Sequence, residues 1–577
     1  MNKESAVGGA SARVRVETRP TGEMVLQNTQ ALTGEVHTLP GRLAHWAATR
    51  PGQTFLAEVK SGRSLTYAQA ESRRTEIAAQ LLNMGVSKER PLAVVAENGI
   101  DHGLMLLAAT SVGLPVAVIS PSYAAPGAAP WDKLRSVLKQ VGAAVVLADD
   151  AEAVQEAAGD AVRVRPLRHL RWLDDIDPVS DAERLAAEGA IGADTVAKLL
   201  FTSGSTGTPK AVMQTQAMMA TNMEGLSLAW PFLAARPPVL VDWLPWNHVF
   251  GGNFCFNIAL YFGGTLHVDS GKPVPALIGE TVEALRQVSP TLYFNVPMGY
   301  EMLFSALESD PQLAASFLGR LDCLFNAGAA MPASTRDKIE RIAQQAIGKV
   351  PPIYGGWGST ETAPLSTIVH FPTTHAANLG VPLAGTSIKM VPDAGKWELR
   401  VKGPNVTPGY WGDPAATAGA FDEEGYFLIG DAGYLADPDD PSAGILFDGR
   451  VAENFKLSTG TWVNVDTLRL AIISACDGLI SNAVIAGEGR DHLGALLFLS
   501  EAGQKAGDGI VRDRIARHNA QHKGASTRIA RFLVLDVPPR AELGEVTEKG
   551  SLNQRRILDL RKDDVERLFA QGIEAAS

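Results

Sequence analysis

Short apolar runs alternate with helical patterns early in this chain, and the alternation limits the folds that it can adopt. Residues 92–95, 116–119 and 144–147 read as buried strands, and the stretches 104–112 and 133–141 between them read as helices. Parallel neighbouring strands need a crossover connection of this kind. The pattern therefore predicts an α/β domain with a mostly parallel sheet.

One helix start is marked by its own residues. Thr66, followed three residues later by Gln69, fits a capping box, in which each side chain satisfies the other residue's backbone N–H group. Ile77 and Leu81 continue an apolar stripe, and Gly85 is a stop signal. A helix is predicted between these two signals.

The length of the chain predicts more than one domain. Its 577 residues exceed what one hydrophobic core usually holds. From residue 388 onward the strands shorten and turns multiply, which indicates a small β subdomain. The predicted domains are a flexible arm at 1–30, a large domain at 31–449, a junction at 450–455 and a small domain at 456–577. The predicted fold class is α/β: two mostly parallel α/β subdomains and a small β subdomain, followed by a small α+β domain.

Composition and charge argue against several classes of partner. The formal net charge is −11 and Lys and Arg form no block, which disfavours nucleic acid and anionic membrane surfaces. No apolar run is long enough to span a bilayer, and the first residues lack the apolar centre of a signal peptide. Cys255, Cys323 and Cys476 have no metal-ligand spacing, so reduced core thiols in a cytoplasmic protein are expected.

A loop rich in glycine and hydroxyl residues follows a strand predicted at 196–201. The loop extends from Thr202 to Lys210 and closes with Pro209. Glycines let backbone N–H groups approach oxygens, hydroxyls donate hydrogen bonds, and the lysine adds positive charge. No Gly-Lys-Ser/Thr closes the loop, so it is not a Walker A loop. These features predict a loop that binds nucleotide phosphates.

Later segments carry groups that suit a nucleotide, and for several of them an ordinary structural role is the alternative. In the segment 354–362, Thr360 could bond a phosphate and Glu361 could hold Mg²⁺ through oxygen. Asp431, at the end of a predicted strand, could accept ribose hydroxyls or be a turn aspartate. His248, between aromatics and a glycine pair, could line a pocket or be structural. Lys549 alone reads as a solvated surface lysine.

Taken in order, these motifs resemble the adenylate-forming superfamily of acyl-CoA synthetases, luciferase and peptide-synthetase adenylation domains. The phosphate loop, Thr360-Glu361, Gly430-Asp431 and Arg450 occur in the order and spacing of that superfamily. The resemblance covers residues 39–558. Within the superfamily, the segments 448–463 and 548–554 look like those of feruloyl-CoA synthetases.

The resemblance implies a role for each motif. The ATP phosphates would be held by Thr202, Ser203, Gly204, Ser205, Thr206, Gly207, Thr208 and Lys210. The adenine and the ribose would meet Gly328, Ala329, Ala330, Trp357, Asp431 and Arg450, with Trp357 in the stacking position. The catalytic residues would be Lys549, Thr360, Glu361, His248 and Lys456, with Glu361 also the metal ligand. The acid would be bound by His248, Phe250, Phe254, Asn295 and Gly356.

The implied reaction joins a small aromatic carboxylic acid to CoA in two steps. The acid first attacks the α-phosphorus of ATP, while Mg²⁺ and Lys549 stabilise the charge on the transferring group. The small mobile domain then rotates about a hinge at 450–455 and brings Lys456 to the site, where the CoA thiolate attacks. Ala452 stands where the superfamily usually has Asp or Lys at the hinge. The sequence does not determine the oligomeric state, and a homodimer is one possibility.

The identity of the acid is the least determined part of this interpretation. A hydroxycinnamate of the ferulate type is expected, and a benzoate-type or medium-chain fatty acid is the alternative on the same scaffold. A third reading is a non-catalytic adenylate-binding protein. Phe250 and Phe254 could build a flat slot for an aromatic ring or could be plain core.

Overall fold

The structure of the chain is a computed structural model. It describes residues 12–84, 86–143, 145–203, 209–373, 375–393, 396–451, 455–540, 543–546 and 552–575. Several sequence-predicted site residues lie outside the described residues: Gly204, Ser205, Thr206, Gly207, Thr208, Lys549 and the hinge position Ala452. The side chain of Ser203 is likewise outside what is described.

Strands and helices alternate in the described part up to residue 450. The strands are β1 (Val14–Thr18), β2 (Met24–Asn28), β3 (Thr54–Glu58), β4 (Ser64–Thr66), β5 (Leu92–Val95), β6 (Val116–Ile119), β7 (Val145–Ala148), β8 (Arg163–Pro166), β9 (Val196–Ser203), β10 (Pro209–Thr215), β11 (Val239–Asp242), β12 (Thr265–Val268), β13 (Leu292–Asn295), β14 (Cys323–Asn326), β15 (Ile353–Trp357), β16 (Thr367–Val369), β17 (Asn378–Pro382), β18 (Ser387–Asp393), β19 (Lys396–Lys402), β20 (Phe427–Leu435) and β21 (Ile445–Arg450). The α-helices are α1 (Leu39–Thr49), α2 (Tyr67–Asn83), α3 (Ile100–Ser111), α4 (Asp132–Val141), α5 (Ala151–Ala158), α6 (Asp181–Gly189), α7 (Gln216–Ala229), α8 (Phe256–Tyr261), α9 (Ile278–Gln287), α10 (Pro297–Glu308), α11 (Pro311–Gly319), α12 (Ala333–Ile347) and α13 (Pro414–Ala418). A π-helix (Phe250–Cys255) leads directly into α8.

The first sheet lies where the alternation predicts it. Its strand order is β10-β9-β6-β5-β7-β8, and neighbours are parallel except for β10, which is antiparallel to β9. Strands β5 and β6 are buried along their whole length, because a parallel sheet is covered on both faces. The predicted capping box at α2 is also confirmed, since Thr66 Oγ1 accepts from Gln69 N–H at 3.2 Å and Gln69 Oε1 from Thr66 N–H at 2.9 Å.

The second sheet is continuous across the other two predicted subdomains. Its order is β1-β2-β18-β19-β20-β21-β17-β16-β15-β14-β13-β11-β12-β3-β4. From β15 through β3 the neighbours are parallel, whereas from β15 to β1 they are antiparallel. The antiparallel half contains the small β subdomain predicted from residue 388 onward, and β1, β2, β16 and β17 add to it. It pairs with the α/β half through β16 and β17.

The interpretation of residues 1–30 as a flexible arm is wrong for residues 14–28. Strands β1 and β2 form a hairpin, and β2 pairs with β18 of the β subdomain. Leu26 is fully buried in the core of that subdomain, and Val25, which points to the opposite face of β2, is also buried. The alternation of Val and charged residues at 14–17 is the signal for a half-buried strand.

The carboxyl-terminal part has its own sheets and cores. Its strands are β22 (Phe455–Lys456), β23 (Trp462–Val463), β24 (Ile480–Ala486), β25 (Leu493–Leu499), β26 (Ile529–Val534) and β27 (Ile573–Glu574). Its helices are α14 (Val465–Ala475), α15 (Glu501–Ala506), α16 (Asp508–Gln521), α17 (Gln554–Leu560) and α18 (Lys562–Gln571). Strands β24 to β27 form a four-stranded sheet with helices against it, and Ile485, Leu497 and Ile515 are fully buried between them. This is the α+β organisation that the sequence predicts.

Two general expectations can be compared with the structure. Cys255, Cys323 and Cys476 are buried and form no disulfide, as predicted for core thiols. Among the helices in the described ranges, none combines the length and the apolarity needed to cross a membrane.

Candidate active site

The turn that carries Thr360 and Glu361 is held by hydrogen bonds to its backbone. It follows β15 as a single 3₁₀ turn, Thr360–Thr362. The carbonyl of Thr360 accepts from Gln214 Nε2 at 2.9 Å, and the carbonyl of Glu361 accepts from the Thr407 N–H group at 2.8 Å. The carbonyl of Thr362 accepts from the side-chain amides of Asn222 and Asn405 at 3.2 and 3.3 Å. The turn is therefore anchored at three consecutive carbonyls from three other segments.

Gly358 explains why this turn can fold so tightly. A Cβ atom at residue 358 would lie 1.9 Å from the carbonyl oxygen of Pro364, and the φ angle is +156°. Only glycine fits such a close approach of backbone to backbone. The glycine-rich composition of segment 354–362 is thus partly a packing requirement.

Glu361 points its carboxylate at a tyrosine that was not singled out in the sequence. Glu361 is 8% exposed, and its Oε1 accepts a hydrogen bond from Tyr410 Oη at 3.0 Å. Burial and the adjacent Glu361 carboxylate raise the pKa of Tyr410, so the phenol stays protonated and donates. The ammonium of Lys210 lies 4.8 Å from the centroid of the same ring. Tyr410 therefore brings together Lys210 of the predicted phosphate loop and the predicted metal ligand.

This arrangement depends on pairing between β10 and the segment 407–411. Trp411 N–H donates to the carbonyl of Ala211 at 2.8 Å, and Thr407 Oγ1 donates to the carbonyl of Met213 at 2.7 Å. Across β9 and β10, Thr202 is the direct partner of Lys210. The two ends of the predicted phosphate loop thus lie side by side, facing the turn that carries Glu361.

Asp431 and Arg450 are neighbours in the β subdomain. They are cross-strand partners in β20 and β21, and Arg450 Nε lies 3.1 Å from Asp431 Oδ1. The other oxygen, Oδ2, accepts from Trp357 Nε1 at 2.7 Å. The interpretation of Asp431 as a strand-end residue is wrong, because β20 continues to Leu435. The pairing register shifts between Asp431 and Gly433, and such a bulge can re-aim a side chain within a strand.

Trp357 has a second role besides the stacking predicted for it. It is 7% exposed and packs with the core of the β subdomain, while its indole N–H group orients Asp431. The stacking of Trp357 on adenine stays a prediction. The contact to Asp431 shows that the residue fixes the predicted ribose ligand in either case.

The remaining nucleotide and acid positions gather at the carboxyl ends of three adjacent parallel strands. Asn295 of β13, Asn326 of β14 and Gly355 of β15 are in register. The predicted adenine segment, Gly328, Ala329 and Ala330, follows β14 at this edge, and Gly356 lies within β15. Asn295 is buried. Its Nδ2 donates to Tyr293 Oη at 3.2 Å, and its Oδ1 accepts from the Val296 N–H group at 2.9 Å, so the side chain holds the backbone that follows β13. Ligands of open α/β sheets bind at such edges.

The aromatic residues predicted to bind the acid lie on a π-helix. Phe250 and Phe254 lie on the π-helix Phe250–Cys255, an element that often marks functional sites. The ring of Phe254 lies 5.0 Å from that of Phe325 and 5.3 Å from that of Phe294. Phe254 is fully buried and Phe250 is 6% exposed, so both belong to the core as well. His248, two residues earlier, accepts from Phe250 N–H through Nδ1 at 3.3 Å.

The glycine pair after His248 is required by packing. A Cβ atom on Gly251 would lie 2.2 Å from the carbonyl oxygen of Leu244, and one on Gly252 would lie 2.2 Å from that of Trp246. The π-helix therefore rests directly on the backbone of the segment 244–246. This close contact fixes where Phe250 and Phe254 stand.

Lys456 lies in the carboxyl-terminal part, on strand β22. It is exposed at the end of β22, and its ammonium lies 5.0 Å from the ring centroid of Trp462 on the paired strand β23. Its contribution to a second step stays a prediction.

No group of three or more His, Cys, Asp or Glu side chains suited to a metal occurs among the residues that the structure describes. The role of Glu361 as a metal ligand stays a prediction.

Comparisons with known proteins identify the family. Residues 43–411 match the model of the AMP-binding enzyme family, and residues 454–572 match that of the AMP-binding enzyme C-terminal domain. This chain belongs to the AMP-binding enzyme family. The resemblance inferred from the motifs is therefore confirmed.

Two relatives show the level of similarity. The chain is 32% identical over 384 residues to feruloyl-CoA synthase of Amycolatopsis sp, which spans 64% of this chain and 71% of that protein. It is 25% identical over 518 residues to 4-coumarate–CoA ligase 3 of Oryza sativa subsp. japonica, which spans 86% of this chain and 88% of that protein. The chain is an adenylate-forming enzyme of the acyl-CoA ligase class.

Solved structures share the fold. O-succinylbenzoate coenzyme A synthetase from Bacillus subtilis in complex with AMP has a TM-score of 0.70 at 19% identity, covering 89% of this chain and 97% of that one. The same Bacillus subtilis enzyme in complex with ATP and magnesium ion has a TM-score of 0.67 at 19% identity, covering 86% and 96%. The predicted architecture, a large α/β part followed by a smaller domain, is confirmed by these matches.

We expect Tyr410→Phe to raise the KM for ATP roughly tenfold, because the variant removes a hydrogen bond to a charged carboxylate. The measurement is pyrophosphate release at varied ATP with saturating acid and magnesium. Tyr434→Phe is the matched control, since Tyr434 is 47% exposed. An unchanged KM for ATP in Tyr410→Phe would show that Tyr410 does not position Glu361 for the nucleotide.

Proposed function

We propose that this chain is an ATP-dependent CoA ligase that activates a hydroxycinnamic acid of the ferulate type through an acyl-adenylate. The observation that carries the nucleotide half is the cluster of Glu361, Tyr410 and Lys210 at the mouth of the predicted phosphate loop. The aromatic lining at Phe250 and Phe254 and the similarity to feruloyl-CoA synthase support an aromatic acid. The products are the CoA thioester, AMP and pyrophosphate.

In this proposal the nucleotide lies along the carboxyl edge of the second sheet. The loop from Thr202 to Lys210 holds the β- and γ-phosphates, and Thr360 bonds the α-phosphate. Asp431 accepts the ribose hydroxyls, held in place by the indole N–H group of Trp357. The short segment after β14 lies against the adenine, where small residues leave room for a flat base.

The residues around Glu361 fit a magnesium ion. The carboxylate is buried, Tyr410 occupies only its Oε1, and no hydrogen bond from the described residues reaches the other oxygen. Hard oxygen ligands of this kind, completed by phosphate oxygens and water, suit Mg²⁺. The bound ion would supply charge neutralisation for the phosphates.

The two chemical steps use different lysines in this proposal. In the first, the acid carboxylate attacks the α-phosphorus, the bond to the pyrophosphate oxygen breaks, and Lys549 stabilises the charge that develops. In the second, rotation about the hinge at 450–455 removes Lys549 and presents Lys456. The CoA thiolate then attacks the acyl carbonyl and AMP leaves. In both steps His248 borders the acid pocket.

A panel of acids tests the assignment of the substrate. With ATP, magnesium and CoA present, we expect kcat/KM for ferulate and 4-coumarate to exceed that for benzoate and decanoate by roughly tenfold or more, because each unfilled or unmatched part of an apolar pocket costs about 1–3 kcal/mol. The measurement is pyrophosphate release coupled to thioester detection. Greater turnover with decanoate or benzoate would contradict the ferulate-type assignment and leave the ligase class intact. No acid-dependent pyrophosphate release at all would contradict the proposed activity.

A further inference from the structure

A line of buried hydrogen bonds joins the acid side of the site to the nucleotide side. Lys198 Nζ donates to Asn253 Oδ1 at 3.1 Å, Asn253 Nδ2 donates to Gln214 Oε1 at 2.8 Å, and Gln214 Nε2 donates to the carbonyl of Thr360 at 2.9 Å. Lys198 is 1% exposed, and Asn253 and Gln214 are fully buried. We call these three side chains the buried relay.

The two ends of the buried relay stand on functional elements. Asn253 lies in the π-helix that carries Phe250 and Phe254, and Lys198 also donates to the carbonyl of Gly252 in that helix at 2.6 Å. At the other end, Thr360 begins the turn that presents Glu361. Lys198 and Gln214 are direct cross-strand partners on β9 and β10, the strands that enter and leave the predicted phosphate loop. The relay therefore touches all three parts of the site.

The hydrogen bonds of the buried relay allow only one arrangement. Each amide uses its oxygen toward the lysine end and its nitrogen toward the Thr360 end, so turning either amide over would set two donors or two acceptors face to face. A buried polar group left without its partner costs much more than the bond itself contributes. A shift of the π-helix would therefore displace Gln214 and, through its hydrogen bond, the carbonyl of Thr360.

Stability alone does not explain a lysine at this position. Burial lowers the pKa of Lys198 to about 7, so the fold disfavours the charged form of this side chain. An apolar side chain of similar length could fill the same space without that cost. The hydrogen bonds to the π-helix are what the lysine adds.

We propose that the buried relay of Lys198, Asn253 and Gln214 couples occupation of the acid pocket to the placement of Thr360 against the α-phosphate. The three are positioning residues, because they act through the π-helix and through Thr360 and do not touch the reacting atoms. This inference rests on the proposed function, since it takes the π-helix as the acid pocket and Thr360 as a phosphate ligand. The relay makes binding of acid and nucleotide cooperative.

The direct test measures that cooperativity. The affinity for the acid is determined by calorimetry with and without α,β-methylene-ATP, whose α–β bridge cannot be cleaved, using whichever acid of the panel gives the highest kcat/KM. In the parent protein we expect the nucleotide analogue to tighten acid binding about fivefold or more. In Gln214→Met and in Lys198→Met the factor should fall to about twofold or less. Lys198→Met is expected to fold even if Gln214→Met does not, because removing a costly buried amine offsets part of the cost of leaving Asn253 Oδ1 and the Gly252 carbonyl without their donor.

A double-mutant cycle and a matched control distinguish loss of the relay from a general loss of stability or activity. If the relay is one unit, the double variant loses about as much kcat as either single variant, whereas independent roles would multiply the losses. Gln155→Met is the control, since Gln155 is a half-buried glutamine that bonds the carbonyls of Gly159 and Val162 far from the site, and it should keep the parent's cooperativity. Parent-like cooperativity in Lys198→Met, or multiplying losses in the double variant, would overturn the inference. A parent that shows no acid-dependent pyrophosphate release would instead overturn the proposed function.

Discussion

Lys549→Ala should abolish most of the first half-reaction and spare the second. We expect acid-dependent pyrophosphate release to fall about 10²–10³-fold, the usual effect of removing one group that stabilises transition-state charge. The thiolation of supplied acyl-adenylate should stay within about twofold of the parent rate, because in the proposal Lys549 has left the site by then. The basis is the resemblance around residues 548–554, since Lys549 itself lies outside the described residues.

The residues on either side of this segment show how its ends are held. Val546 and Leu552 pair through a β-bridge. Just before them, Glu545 is fully buried and accepts from Arg561 Nε at 2.6 Å and from the Arg540 N–H group at 2.7 Å. The residues that border the lysine segment are therefore fixed within the smaller domain.

Two further variants make the test of Lys549 specific. Lys456→Ala is expected to show the opposite split, with the second step weakened more than the first. Lys523→Ala, which changes an exposed lysine of the same domain, should leave both steps at the parent rate. Equal losses of both steps in Lys549→Ala would contradict its assignment to one half-reaction.

Local patterns in the sequence predicted local structure well. The capping box at Thr66 and Gln69 and the strand that precedes the phosphate loop depend only on neighbouring residues. The alternation at 92–147 was likewise sufficient to predict a parallel sheet, because each strand and its crossover helix are close in sequence. The hairpin at 14–28 was missed although the alternation at 14–17 is a local signal, and only the pairing of β2 with β18, near residue 390, depends on the fold.

The candidate site was only partly predictable, for the same physical reason. Trp357 and Asp431 were both singled out, but the hydrogen bond between them joins residues 74 positions apart, and a bulge places Asp431 inside a strand. Tyr410 was missed because its contact with Glu361 depends on the pairing of the segment 407–411 with β10. Gln214 reads as an ordinary strand residue, and only the fold brings it to the carbonyl of Thr360, 146 residues away.

Glu361→Gln should lower the rate of adenylation about 10²–10³-fold while the protein remains folded. The glutamine has nearly the same shape and keeps an oxygen that can accept from Tyr410 Oη, so the turn at 360–362 should stay in place, held by its three backbone carbonyls. What the variant loses is the negative charge, and a neutral amide is a poor ligand for Mg²⁺ beside phosphates.

The concentration of magnesium gives this prediction its sharpest readout. In Glu361→Gln, half-maximal pyrophosphate release should need about tenfold more magnesium than in the parent, since a charged oxygen ligand is missing. Glu283→Gln, at an exposed position of α9, is the matched control and should titrate like the parent. The thermal midpoints of the three proteins should agree within a few degrees. A parent-like magnesium requirement in Glu361→Gln, with activity lost, would mean that Glu361 serves the turn and not the metal.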